Sequence, residues 1–383
     1  MNNDNETQND ASFEAMLQAA AARVLTDYST PSAHAQCADG QLPTDLWNAL
    51  ATSGLMEAVG PDGPLEWETL AVMMILSGEF AVPVPWVETL LAQRHLNIAG
   101  LAYPDGPLSI APSSPGFAPP TLSACGAGWQ FSGTLSRVSW ARHAQAVAIL
   151  ARHPEGMALV RLDRDRIPEG NLTTHKNVAD EPRDSLVIHD LAPLVVLDLP
   201  ASAVSLDYAP ANNLVAEGAL ARSLQMVGAM RKVLEMSLQY SMNRVQFGKP
   251  IAKFQAIQHM VAVQASHLAA ATGASMAAVH AAQQGPALFE IAATKVRTGE
   301  AAGLAARTAH QVHGAMGITQ EYPLHLWTRR LFAWRDEFGS ESQWAGALGR
   351  LVLDSGGPGL WPLICEPSSG HNDLEQHMGT LTV

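Results

Sequence analysis

From Ala219 to Met242, apolar residues fall at Leu220, Leu224, Val227, Met230, Leu234 and Leu238, a three- and four-residue spacing that predicts one long helix. A second helix is expected from about Phe254 to Gln284, where Gly285-Pro286 stops it, and a third from about Ala287 to His313, stopped by Gly314. All three are rich in alanine, with small residues on several faces. Such helices must be buried on more than one side, which a close-packed bundle or an oligomer provides. Residues 212–354 therefore read as a C-terminal four-helix bundle.

The chain ahead of the bundle has two other textures. Residues 1–105 read as an N-terminal helical domain, with helices expected over 12–27, 43–56 and 66–82. Pro83 and Pro85 punctuate before one more, Trp86 to about Gly100. Residues 106–211 open with Pro107, Pro112, Pro115, Pro119 and Pro120 and then turn strand-like. Ala146–Leu150 and Met157–Leu162 flank His153-Pro154-Glu155-Gly156, the pattern of a hairpin. Strands are also expected over 186–198 and 202–207, giving a mostly antiparallel central β domain. Residues 355–383 read as a tail without a core of its own. The fold class is α+β: helices, sheet, then bundle.

Several functions are disfavoured by composition. With 36 acidic residues against 23 basic ones, the net charge of −13 argues against a protein that grips a phosphate backbone. Hydrophobic residues at 47% exclude a disordered acidic chain. Cys37, Cys125 and Cys365 are odd in number, far apart and in no CxxC, so neither a disulfide framework nor a zinc ribbon is expected. His310 and His313 lie three apart with no supporting carboxylate or cysteine set, so no metal site is expected. The polar N-terminus does not read as a secretory signal, and no long apolar run predicts a membrane span. The expected compartment is the cytoplasm.

The bundle carries a set of motifs in fixed order. Arg244-Val245-Gln246-Phe247-Gly248-Lys249-Pro250-Ile251 is followed by Phe254-Gln255-Ala256-Ile257-Gln258, then Gln311-Val312-His313-Gly314-Ala315-Met316-Gly317, then Glu321-Tyr322-Pro323-Leu324. This run resembles the C-terminal domain of the acyl-CoA dehydrogenase family, and the order of domains is similar too. The resemblance implies an FAD cofactor and an acyl-CoA substrate oxidised between Cα and Cβ. It assigns Arg244 to the FAD diphosphate, a task suited to the guanidinium fork. Gln246, Phe247, Ile251 and Phe254 would line the same cofactor. Gln311, Gly314 and Gly317 would meet its adenine side, with Ala315 in place of a further glycine, and Ser340 would lie on the cofactor as well. Read without the resemblance, Arg244 is only a cation favourable to a helix end.

The match fails where the chemistry should be. The family's base is often the Glu of a Tyr-Glu-Gly-Thr-Ser segment; the corresponding run here is Glu337-Phe338-Gly339-Ser340-Glu341, with Phe338 at the base position. Other members carry the base on the first bundle helix, where Gly218 stands and Glu217 is adjacent. Glu217 and Glu337 are thus weak catalytic candidates, each one residue out of register. In the β domain Arg137 occupies the place of a flavin-facing aromatic, and Ile110-Ala111-Pro112-Ser113-Ser114 stands where the family has a flavin-lining loop. Leu324–Leu331 with Trp334–Gly339 resembles a divergent branch built as α2β2 hetero-oligomers that act on steroid side chains or other bulky acyl-CoAs. The expectation is the base-lacking subunit of such an assembly, with electron-transfer flavoprotein as an implied acceptor. A self-sufficient homo-oligomer using Glu217 or Glu337 and a flavin-free structural relative are the alternatives.

Overall fold

The computed structural model describes residues 2–57, 59–60, 63–111, 119–188, 197–206 and 212–365. Ten helices occur among them: α1 (Asn2–Tyr28), α2 (Pro31–Ala38), α3 (Thr44–Thr52), α4 (Trp67–Glu79), α5 (Trp86–Ile98), α6 (Asn212–Asn243), α7 (Gln255–Gln284), α8 (Leu288–His313), α9 (Leu324–Arg335) and α10 (Glu341–Cys365). Asp45 and Glu88 sit in the first turns of α3 and α5, where a negative charge suits the helix dipole. Gly314 ends α8 in the left-handed region (φ +59), the conformation that glycine adopts at no steric cost. Helix α10 runs on through Gly356, which kinks it at φ +67, and so enters the expected tail. Leu353 and Trp361 on this segment are 80% and 70% exposed. Residues 366–383 lie outside the described residues.

The chain sorts into two compact units. One comprises Met1–Thr30, Trp67–Val82 and Ala219–Ala345 and is helical. Its core joins Met226, Val227, Met230 and Val233 of α6 to Ala301, Ala302, Ala305 and Ala306 of α8 and to Leu331 and Trp334 of α9. The alanines let the helices approach closely, as their distribution on several faces implied. Contact between α4 and α6 is closer still, because a Cβ at Gly228 would lie 1.9 Å from the Ile75 carbonyl oxygen and one at Gly78 1.9 Å from that of Gln225. Gln225 Nε2 donates to Ser77 Oγ (3.0 Å) and Trp327 Nε1 to the Glu79 carbonyl (2.8 Å). A charged or bulky residue on this stretch would have no room.

The other unit comprises Pro31–Glu66, Pro83–Gly218 and Gly346–Val383. Its strands are β1 (Val59–Gly60), β2 (Gly63–Pro64), β3 (Leu108–Ala111), β4 (Thr121–Cys125), β5 (Gly128–Ser132), β6 (Thr134–Ser139), β7 (Ala146–His153), β8 (Gly156–Asp163), β9 (Leu172–Thr173), β10 (Arg183–Val187), β11 (Leu197–Pro200) and β12 (Val204–Ser205). The larger sheet has the order β11-β5-β4-β7-β8-β12, with β3 also paired to β7; the smaller is β6-β10-β9. Most pairs are antiparallel, and β7 and β8 form the expected hairpin with His153 opposite Gly156. β3 runs parallel to β7, a pairing that alternation cannot reveal. The strands expected over 186–198 and 202–207 are seen as β10, β11 and β12; residues 189–196 and 207 lie outside the described residues, as do Pro112, Ser113 and Ser114. Phe131, Val138, Ile149, Val160, Leu162 and Leu186 form the core of this unit.

Among the described residues no helix is long and apolar enough to cross a membrane.

Candidate functional site

Two residues after the end of α6 the chain folds into a hairpin, β13 (Val245–Gln246) against β14 (Lys249–Pro250). Its turn is Phe247-Gly248, with φ of +52 and +76. Positive φ at both central residues suits the tight hairpin turn that matches strand twist, but phenylalanine is a costly choice for it. Phe247 is also 91% exposed, so packing within the chain does not explain it. Its ring meets Phe254 edge-on at 6.1 Å, and Lys249 Nζ lies 4.5 Å from the Phe254 ring centre. Arg244 and Gln246 are exposed beside it, and Ile251 and Phe254 are half-buried. The Ile251 amide donates to the Arg244 carbonyl (2.8 Å) and the Arg244 amide to that of Tyr240 (2.9 Å), which fixes the backbone under the guanidinium.

Gln311, near the end of α8, and Gly314 are exposed, while Gly317 is buried. A Cβ at Gly317 would stand 2.9 Å from His313 Cβ, so glycine there lets the turn over residues 314–318 lie flat on the helix end. His313 lies against Tyr240 of α6, with the rings tilted and 4.5 Å between their centres. The α6 end bearing Arg244 and the α8 end bearing Gln311 are therefore neighbours in one unit.

The segment after α9 is held by many contacts. Phe338 (φ +55) and Gly339 (φ +92) reverse the chain. Trp344 Nε1 donates to the Phe338 carbonyl (2.9 Å). Ser340 Oγ, half-buried, contacts Ser342 Oγ (3.0 Å) and Gln343 Oε1 (3.1 Å). Phe338 is itself buried, with the Arg222 guanidinium 5.8 Å from its ring and 5.9 Å from that of Trp334. Arg222 is buried too, and its Nε donates to Glu337 Oε2 at 2.7 Å. Lys295, wholly buried, donates to the carbonyls of Trp334 (2.8 Å) and Arg335 (2.9 Å), the C-terminal end of α9. Burial lowers the Lys295 pKa to about 7; Glu337 and Glu341 oppose the shift, Arg222 adds to it, and Asp336 opposes it. Glu341 pairs with Arg335 over α8, where a Cβ at Gly299 would stand 2.3 Å from the Glu341 carboxylate.

Glu217 belongs to the sheet-bearing unit. Its Oε2 lies 3.2 Å from Arg94 Nε and 3.3 Å from His95 Nε2, and Arg94 also donates to the Leu65 carbonyl (3.2 Å). Burial lowers the His95 pKa; Glu217 works against that and Arg94 with it. Both weak base candidates are thus carboxylates paired with arginine. Arg137 is exposed in a left-handed conformation (φ +58).

Sequence reasoning named the motif residues but not the side chains packed around them. Arg222 offered one signal, a cation inside the Leu220–Leu224 apolar stripe. Lys295, Arg94 and His95 offered none, because their partners are remote in sequence.

Residues 210–340 match the family model described as acyl-CoA dehydrogenase, C-terminal domain. Among curated relatives, acyl-CoA dehydrogenase IpdE2 of Mycobacterium tuberculosis is 34% identical over 112 residues, 29% of this chain and 34% of that protein. The chain thus aligns with only about a third of that relative's length. Among solved structures, the ChsE4-ChsE5 complex from Mycobacterium tuberculosis gives a TM-score of 0.78 at 19% identity, covering 88% of this chain and 96% of that one. The steroid ACAD Tcur3481-Tcur3483 gives 0.77 at 22% identity, covering 90% and 99%. At such identities these likenesses establish the fold.

Proposed function

We propose that this chain, which belongs to the acyl-CoA dehydrogenase family, contributes to the FAD site of an α,β-desaturating acyl-CoA dehydrogenase while supplying no base, as one subunit of a hetero-oligomer. The observation that carries this reading is the fate of the carboxylates. The α-proton of a thioester is weakly acidic, so its base must be desolvated and free of cations to hold a raised pKa. Glu337 is bound by Arg222 at 2.7 Å and Glu217 by Arg94 at 3.2 Å. A carboxylate already engaged by an arginine is not free to be placed against a substrate α-carbon. Phe338, at the family's base position, has no proton-accepting atom. These ion pairs count against the self-sufficient homo-oligomer.

The residues at the hairpin fit an FAD dinucleotide. Arg244 offers a forked donor to the diphosphate, Phe247 an exposed aromatic face, and Gln311 with Gly314 a side-chain amide and an open backbone on the adenine side. The bound flavin would supply the oxidising chemistry; this chain's residues bind and orient it. Because Arg244, Gln246, Phe247 and Gln311 all face outward, the cofactor they hold would be shared with another subunit. The solved relatives described as a complex and as a steroid ACAD support a partner subunit and a bulky acyl group.

The test is anaerobic addition of acyl-CoAs of several sizes to the FAD-loaded chain, alone and co-expressed with a second acyl-CoA dehydrogenase-like subunit. Bleaching of the flavin band only in the complex is expected. Bleaching by the chain alone overturns the reading, and Glu217→Gln and Glu337→Gln then identify the base. Arg244→Ala lowers FAD affinity by more than about tenfold, from a lost charge-assisted contact of ~1.5–3 kcal/mol.

A further inference from the structure

His313 is buried between two tyrosines. Its ring centre lies 4.5 Å from that of Tyr240 and 5.0 Å from that of Tyr322, and the two tyrosines meet edge-on at 6.0 Å. Nδ1 is 2.8 Å from the Ala309 carbonyl oxygen, which only accepts, so Nδ1 carries the proton. Nε2 is then the acceptor of the neutral ring, and the Tyr322 hydroxyl, 3.2 Å away, donates to it. Burial lowers the His313 pKa, opposed by the Ala309 bond, assisted by His310 and opposed again by the Met236 backbone; burial, with Tyr240 adding, raises that of Tyr322. Both directions keep the pair neutral and the bond intact.

The three aromatic residues come from three segments. Tyr240 lies one turn before Arg244, whose amide donates to the Tyr240 carbonyl. His313 ends α8, and the turn over residues 314–318 rests on its Cβ. Tyr322 precedes α9. The contact between α6 and this turn thus passes through one imidazole whose tautomer is fixed at one end and read at the other.

We propose that His313 is a positioning residue for the cofactor, setting the separation between the Arg244 guanidinium and the backbone at Gly314 and Gly317. The proposal rests on the FAD reading above. Tyr322 is its second element: the hydroxyl holds the ring plane against rotation, so that Tyr240, packed against that ring, keeps the α6 end in place.

FAD affinity of the full chain, in the assembly it forms, tests this. The variants are His313→Phe, which keeps a ring and loses both hydrogen bonds, Tyr322→Phe, which removes one hydroxyl, and His313→Gln, whose amide restores an acceptor. The thermal midpoint without FAD is measured for each. FAD affinity is expected to fall about tenfold in His313→Phe, less in Tyr322→Phe, and to recover in part in His313→Gln, well below each variant's unfolding temperature. If His313→Phe folds and binds FAD like the parent while Arg244→Ala does not, His313 only packs and the proposal is overturned. Should His313→Phe fail to fold, Tyr322→Phe decides, and unchanged affinity there overturns it. If the parent takes up no FAD, the cofactor reading fails and takes this proposal with it.

Discussion

Gly228→Ala adds one methyl group at the crossing of α4 and α6. That Cβ would stand 1.9 Å from the Ile75 carbonyl oxygen, 2.8 Å from the Glu79 nitrogen and 2.9 Å from the Ile75 carbonyl carbon. Ordinary contact begins at 3.4 Å, so the helices must part by about 3.4 − 1.9 = 1.5 Å. All three obstructing atoms are backbone, so no rotamer change relieves the clash. Parting the helices strains the buried Gln225–Ser77 hydrogen bond (3.0 Å). In a helix interior alanine returns about 1 kcal/mol over glycine, whereas overpacking costs ~1–3 kcal/mol and an unsatisfied buried polar group ~1–3 kcal/mol. The net expectation is a loss of about 1–5 kcal/mol. Gly273→Ala is the control: it too sits within a helix, and nothing lies within 4 Å of its Cβ, so it should gain up to about 1 kcal/mol. Urea unfolding followed by helical circular dichroism measures both, with the slope checked for constancy. A Gly228→Ala protein as stable as the parent would refute the backbone-contact argument.

Other consequences are open to equally direct measurement. Lys295 has a folded-state pKa of about 7 against 10.5 for the free side chain. Between those values the unfolded chain binds one more proton than the folded one, so stability rises with pH through that window and is flat below it; Lys295→Met should flatten the slope. Gln264 is buried, and among the described residues neither polar atom of its amide has a hydrogen-bond partner, so Gln264→Met should stabilise the fold by about 1–3 kcal/mol in a denaturant titration. Phe338→Glu should not create dehydrogenase activity, because the new carboxylate would stand beside Arg222, 5.8 Å from the present ring centre, and be paired like Glu337. Flavin bleaching by that variant alone would show that Arg222 does not hold the new carboxylate.

The three long bundle helices were legible because each is a local object: a three- and four-residue stripe, a Gly or Pro stop, and faces small enough to be buried. The β7–β8 hairpin was legible for the same reason, its turn lying between two adjacent strands. The ordered motifs from Arg244 to Leu324 carried the resemblance to the family's C-terminal domain, and the reading of Phe338 at the base position rests on its side chain, which has no proton acceptor in any fold. What surrounds those residues was not legible. Leu238 belongs to the predicted α6 stripe yet is 42% exposed, whereas Met236, Ser237 and Ser241 around it are buried, so the face covered in the fold is not the one the stripe marks. β3 pairs with β7 across more than thirty residues, in parallel. Glu217 and Glu337 are single letters in the sequence; only the fold brings Arg94 and Arg222 to them, from 123 and 115 residues away. A carboxylate's basicity is set by the charges and solvent within a few ångströms, and those are fixed by tertiary packing rather than by the neighbours along the chain.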